Sequence, residues 1–269
     1  MVDRICISIN NRCNLKCEYC HFNEKEIKDE NKMDVYEILD NVMNYANGTF
    51  KIGFVGNGEP FLDFELLKNY IKYISNNKFI KAYTITNGTI VLSDSEIAFL
   101  EENDVNVGFS VDGYKELHDL NRCNTFDNVI NNVEHYRRIT GHYPTFNATV
   151  GKESVKNEKE IIQFFRQFGT RVTFSRMIGK HGITLNEYKM FVENVEKYIQ
   201  VRRGELDCTM YGGRCGAGAN NYFFSNGNIY YCGNCVDIKP IGSSSMSFEE
   251  LENISLEFNR NKCYKESLL

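Results

Sequence analysis

Three cysteines near the amino end, Cys13, Cys17 and Cys20, are separated by three and then by two residues. That spacing makes one compact loop able to turn three thiolates inward. Scattering the chain's 10 cysteines at random over 269 residues would produce roughly 0.01 such triplets per chain, so chance is a poor explanation. Thiolates are soft ligands and select zinc, copper(I) or iron–sulfur clusters. Structural zinc takes four ligands, and His21 would have to complete the set. A four-iron cluster usually takes four thiolates. Three leave one iron open, which suits a cluster that binds a substrate or cofactor.

A second group lies near the other end: Cys215, Cys232, Cys235 and Cys263. Gly212, Gly213, Gly216 and Gly218 crowd around its start, and Gly227 sits between two β-like runs, 221–225 and 228–231, as in a hairpin. Four cysteines in a glycine-rich segment can close around one metal centre, and spacing alone leaves zinc and iron–sulfur equally open. Cys208 is an alternative ligand to these four. Cys6 alternates with isoleucines and reads as core. Cys123 follows Arg122 and reads either as an inert thiol or as one facing the site.

The elements that must hold these groups are legible as periodicity. Ile5, Ile7 and Ile9 alternate with Cys6 and Ser8 as in a strand. Further strands are expected over 51–55, 82–86, 105–111, 146–150 and 172–178. Asp34 caps a helical stripe from Val35 to Ala46 that Gly48 should close. Later stripes run through Leu66, Leu67, Tyr70, Ile71 and Ile74, from a cap at Ser93 or Ser95, and from Phe126, Ile161 and Tyr188. Six β–α units in succession imply a parallel sheet with right-handed crossovers. Six are too few for a closed eightfold barrel, so a partial barrel or an open wound sheet is expected over residues 1–204, with functional residues at the carboxyl ends of the strands. From residue 205 the helical periodicity stops. Residues 205–269 read as a small cysteine-rich domain whose metal supplies stability that its core cannot.

Composition narrows the classes. Hydrophobic residues make up 42% and charged residues 25%, with a net charge of −5, so no global basic field draws the chain to nucleic acid or anionic lipid. No apolar run reaches membrane length. Asp3 and Arg4 interrupt the first apolar stretch, so no signal peptide is expected. Without an export signal, thiolate ligation is a better reading of the cysteines than disulfides.

Each expected strand end carries a polar cluster. Strand two ends in Gly56-Asn57-Gly58-Glu59-Pro60, strand three in Thr86-Asn87-Gly88, and strand four in Ser110-Val111-Asp112-Gly113, followed by His118, Asp119 and Arg122. Taken singly these are turn signals. Met177-Ile178-Gly179 after strand six is either plain core or a small apolar wall.

Taken in order, they resemble the radical S-adenosylmethionine superfamily, across about residues 1–200. The CNLKCEYC loop matches the family's cluster-binding signature, which implies that Cys13, Cys17 and Cys20 hold a 4Fe–4S cluster whose open iron chelates S-adenosylmethionine. GNGEP resembles the family's GGEP motif, with Asn57 in place of the usual first glycine. The resemblance implies that Asn57, Gly58 and Glu59 hold the methionine amino group and that Asn87 sits at the next strand end. It further implies that Ser110 and Asp112 lie near the ribose, Arg122 pairs with the methionine carboxylate, and Tyr19 and Ile178 neighbour the adenine. Arg is the preferred partner for a carboxylate on physical grounds too.

The tail, with CGAG and GNIYYC, is similar to the start of SPASM/twitch auxiliary domains. It carries fewer cysteines than a full SPASM domain, which implies one auxiliary 4Fe–4S cluster on Cys215, Cys232, Cys235 and Cys263. Cys208 then becomes a candidate hydrogen donor.

The pattern after strand four is similar to that of the peptide- and sulfatase-modifying branch, which implies a radical enzyme acting on a precursor peptide (crosslink, thioether or epimerisation). The alternatives are a twitch-type dehydrogenase of a small molecule and a sulfatase-maturing, formylglycine-forming enzyme. A glycyl-radical activase and a non-catalytic zinc or electron-carrier module fit the motifs less well. A ferredoxin or flavodoxin would reduce the cluster, in the cytoplasm of an anaerobe because oxygen attacks exposed clusters. The start of the chain so close to strand one implies that any leader-recognition element is absent, separate or supplied by the barrel.

Overall fold

The computed structural model of the protein describes residues 1–20, 22, 33–177, 180–202, 217–218, 220–233 and 240–253. Six strands, β1 (Arg4–Ile7), β2 (Phe50–Phe54), β3 (Ile80–Thr86), β4 (Asn106–Ser110), β5 (Thr145–Val150) and β6 (Val172–Arg176), lie side by side in chain order and parallel. A short β7 (Val201–Arg202) extends the sheet beyond β6. Among the described strands the ends of the sheet do not meet. The α/β architecture is therefore an open, partial-barrel arrangement of parallel strands, as the periodicity implies.

Helices return the chain between strands. Asp34 accepts a hydrogen bond from the Glu37 N–H and caps α1 (Val35–Tyr45). Gly48 does not close that helix: the chain already leaves it at Ala46, which is extended. α2 (Phe64–Ile74) follows a 3-10 turn at Pro60–Asp63, and Leu66, counted in its apolar stripe, is exposed. A capping box between Ser93 and Glu96 opens α3 (Asp94–Glu102). Two short helices that periodicity did not reveal, α4 (Lys115–Asn121) and α6 (Lys152–Lys156), precede the longer α5 (Phe126–Thr140) and α7 (Glu158–Arg166). Pieces of five to seven residues are too short to display a 3.6-residue period. A Thr184/Glu187 capping box starts α8 (Leu185–Val195).

Register places Ile5, Ile7, Ile52, Phe54, Val107, Phe109, Phe146 and Phe174 on the helix-covered face, where they are buried. Cys6, Tyr83, Asn147, Thr173 and Ser175 lie on the other face, inside the curve of the sheet. Gly53 stands in that inner row because a Cβ there would come within 2.3 Å of the Tyr83 ring. Strand six ends at Arg176, two residues short of the expected 178.

The hairpin expected about Gly227 forms as β8 (Asn221–Ser225) and β9 (Asn228–Tyr230). Its first strand lies parallel beside β1, so this late segment covers the edge that β1 would otherwise expose. β10 (Gly242–Ser243) pairs with β9, and α9 (Phe248–Asn253) packs Phe248 against Tyr45, Phe50 and Phe224. Among the described residues no helix is long and apolar enough to cross a membrane.

Candidate active site

The cysteine loop sits over the carboxyl ends of the strands, held by backbone contacts to the loop after β2. The Glu59 N–H donates to the Arg12 carbonyl at 2.7 Å, and the Asn10 amide donates to the Glu59 carbonyl at 3.0 Å. The two loops approach so closely that a Cβ on Gly58 would lie 2.0 Å from Asn10 Oδ1 and 2.4 Å from the Arg12 carbonyl. Glycine is obligatory there. From the end of β3, the Asn87 amide donates to Asn14 Oδ1 at 2.8 Å and lies 3.8 Å from Cys13 Sγ.

Below the loop is a cavity of about 410 Å3. Cys13, Cys17 and Cys20 line it. Tyr19, Asn57, Gly58, Glu59, Asn87, Ser110 and Arg122 line it too. Burial raises the Cys13 thiol above its usual range and pushes Cys17 up to about 12, Arg122 opposing the shift at Cys17. Both thiols therefore stay protonated until a bound cation supplies the charge that makes them ligands. Among the described residues no three His, Cys, Asp or Glu side chains converge tightly enough to hold one metal ion. Three thiols spread around a cavity fit a cluster in which each takes its own iron.

Glu59 is buried and its carboxylate accepts from the Phe61 N–H (3.0 Å), the Thr86 hydroxyl (2.7 Å) and the Asn87 N–H (2.6 Å). Burial raises its pKa, and those hydrogen bonds and Arg122 counter the rise. Its side chain thus ties the ends of β2 and β3 together.

Asp112 stands behind the cavity wall. It accepts from the Tyr19 hydroxyl (2.9 Å), the Thr149 N–H (2.9 Å) and the Asn121 amide (3.2 Å). Arg122 Nε is 3.3 Å from its Oδ2, an ion pair without the alignment of a hydrogen bond. The Arg122 guanidinium also lies 5.5 Å from the centre of the Tyr19 ring, as a cation–π contact. His118 is fully buried on α4 and burial lowers its pKa to about 4.

These contacts gather the first cysteine group and all three strand-end motifs at one place. Ile178, Cys208, Cys215, Cys235, Cys263 and His21 lie outside the described residues. Cys232, half-buried, follows β9 and so lies toward the amino ends of the parallel strands, away from the cysteine loop. Sequence reasoning missed the Thr149 N–H that holds Asp112, because a backbone donor leaves no residue signature. It also missed what Asn57 does. Its amide donates to Asn11 Oδ1 (3.0 Å) and, on β8, to the Ser225 hydroxyl (2.8 Å), joining the strand-two loop to the late hairpin.

Residues 7–165, more than half of the chain, match the family model described as the Radical SAM superfamily. A cysteine-type anaerobic sulfatase-maturating enzyme of Clostridium perfringens is 27% identical over 268 residues, covering 82% of this chain and 71% of its own. A Bacillus subtilis protein named for a role in peptide biosynthesis, YydG, is 25% identical over 236 residues, covering 85% of this chain and 68% of its own. Among solved structures, anSMEcpe with bound AdoMet aligns with a TM-score of 0.76 at 25% identity, covering 96% of this chain and 82% of that one.

Proposed function

The chain belongs to the radical S-adenosylmethionine superfamily, and from that membership we propose that it generates a 5′-deoxyadenosyl radical which takes a hydrogen atom from a peptide substrate. It is an enzyme of that superfamily, with a 4Fe–4S cluster and S-adenosylmethionine as cofactors. The observation that carries the finer reading is the meeting of Cys13, Cys17 and Cys20 with Arg122 and the Glu59 loop around one cavity at the strand ends.

When bound, the cluster supplies the electron that splits the sulfonium. The protein's part is placement. Cys13, Cys17 and Cys20 hold the cluster as thiolates. Arg122, buried and positive, pairs with the methionine carboxylate. The Gly56–Pro60 loop meets the amino group, with Glu59 bracing that loop against β3. Ser110 and Tyr19 flank the nucleoside, and Asp112 orients Tyr19 and Arg122. Residues 1–204 form the catalytic unit. Residues 205–269 form an auxiliary unit with a second cluster on Cys215, Cys232, Cys235 and Cys263, and Cys208 is a candidate hydrogen donor. A ferredoxin or flavodoxin delivers the electron, in an anaerobic cytoplasm.

A peptide is favoured as substrate because relatives that share most of this chain include a sulfatase-maturating enzyme and a protein named for peptide biosynthesis. The test is anaerobic reconstitution followed by iron and sulfide analysis and incubation with S-adenosylmethionine and dithionite. About eight irons per chain support the auxiliary cluster, and about four deny it. A Cys13/Cys17/Cys20→Ala variant should form no 5′-deoxyadenosine, and retention of that product overturns the assignment. Deuterium passing from a labelled peptide into 5′-deoxyadenosine supports the substrate class. Deuterium arriving only from a small alcohol refutes it.

A further inference from the structure

Arg122 sits at an awkward place in the chain. It ends α4, and the two residues after it, Cys123 (φ 59) and Asn124 (φ 56), are both left-handed without being glycine. Such a pair is strained and persists only when its surroundings hold it. Both backbone polar groups of Arg122 lead back to one residue. The Arg122 N–H donates to the His118 carbonyl at 2.8 Å. The Arg122 carbonyl accepts from the Thr125 hydroxyl at 2.7 Å, and that hydroxyl lies 3.1 Å from His118 Nε2. Because Thr125 gives its only proton to the carbonyl, it must accept from the ring, which assigns the proton of His118 to Nε2. The other ring nitrogen, Nδ1, is then a bare acceptor, and it has no hydrogen-bond partner among the described residues although the side chain is fully buried. Burying an unsatisfied acceptor costs free energy. The cost is intelligible if the Nε2 proton is needed where it is. Phe126 packs edge-on against the imidazole with centroids 5.6 Å apart and keeps the ring in that plane.

We infer that His118 is a positioning residue for Arg122: through Thr125 it clamps the left-handed turn that aims the guanidinium at the cofactor cavity. The inference rests on the proposed cofactor site, since it names the carboxylate of S-adenosylmethionine as what Arg122 is aimed at. His118 does not itself line the cavity, and it moves no proton during the reaction.

The test is the dissociation constant of S-adenosylmethionine measured by equilibrium dialysis on the reconstituted full chain, with melting temperature recorded in parallel. His118→Phe, which keeps an aromatic ring but loses the donor, and Thr125→Val, which breaks the relay one step on, should each weaken binding on the order of 10-fold, the worth of one buried hydrogen bond. The double variant should be no weaker than either single variant, because one chain of bonds is cut once or twice with the same result. His118→Gln, whose amide reaches the Nε2 position, should recover binding to within about threefold. In an Arg122→Ala background, His118→Phe should change the affinity no further. Unaltered affinity in His118→Phe, multiplicative losses in the double variant, or a further loss in the Arg122→Ala background overturns the inference. Should His118→Phe fail to fold, Thr125→Val and its combination with Arg122→Ala decide the same question. A wild-type chain that binds no S-adenosylmethionine refutes the site itself, a different result from a wild-type chain that binds it and variants that bind equally well.

Discussion

The ends of β3 to β5 and the hairpin edge at β8 and β9 are both polar where they meet the cysteine loop, but they are built from different materials. At the strand ends, charge sets geometry. Asp112, Arg122 and Tyr19 are held to one another and to the barrel by a carboxylate taking a hydroxyl and a backbone N–H, an ion pair, and a cation over a ring. At the hairpin edge, neutral amides and a hydroxyl make the contact. Asn57 meets Asn11 and Ser225, and Asn11 meets Asn226 at 2.8 Å, above an aromatic underlayer of Tyr45, Phe50, Phe224 and Phe248. Buried charges are costly unless paired, so a paired set adopts few arrangements and aims a ligand-binding group well. Amides and aromatic rings bind a segment to the barrel without placing a net charge beside the cavity. The first region is an aiming device and the second is a docking seam.

That contrast can be broken most severely at the cysteine loop. Cys17→Ala should abolish cluster retention and 5′-deoxyadenosine formation while leaving the far-ultraviolet circular dichroism unchanged; a variant that still forms the nucleoside contradicts the aiming region's purpose. At the seam, Phe248→Ala should cost about 3–5 kcal/mol in denaturant unfolding yet leave reconstituted iron content at the wild-type level. A loss of both together would mean that the seam also shapes the cluster site.

Between these lies a pH effect confined to the aiming region. The unfolded chain protonates His118 near 6.5, whereas the folded chain resists until about 4, because burial outweighs the pull of Asp112 and is helped by Arg122. Between those values the unfolded state binds more protons, so stability must fall as the pH is lowered across that window, by about 3 kcal/mol in all, and this group adds no slope above 6.5. Urea titrations of wild type and His118→Gln from pH 7 to pH 4 should diverge accordingly. Parallel curves would show that His118 titrates normally. The smallest effect belongs to Ser225→Ala, which should cost about 1 kcal/mol for one buried hydrogen bond and raise hydrogen exchange along β8 and β9 without altering exchange at Asp112 or Arg122. A spread of the effect into α4 would join the two regions.

Much of the fold is legible in the sequence alone. Alternation in β1 and the stripes at Val35–Val42 and Tyr188–Val195 report burial directly, because one face of each element must meet the core. The short α4 and α6 are hidden for want of length, and Leu66 faces water although it falls in an apolar stripe, because an apolar residue at the border of a stripe can be exposed at little cost. Gly48 plays no part in ending α1, since the helix stops on an extended Ala46 and needs no left-handed cap.

In the candidate site, residue type and order were enough to nominate Cys13, Cys17, Cys20, Glu59, Asp112 and Arg122, because soft ligands, carboxylates and a guanidinium are chemically distinctive wherever they fall. Their partners were not recoverable in that way. That Glu59 braces β3, that Thr149 lends a backbone N–H to Asp112, that Asn57 reaches Ser225 168 residues further along the chain, and that His118 leads through Thr125 to Arg122 all depend on which strand ends become neighbours. Local composition determines which groups can do chemistry. Only the side-by-side parallel pairing of the strands decides where each group points, because hydrogen bonds act over a few ångströms in space and carry no mark in sequence separation.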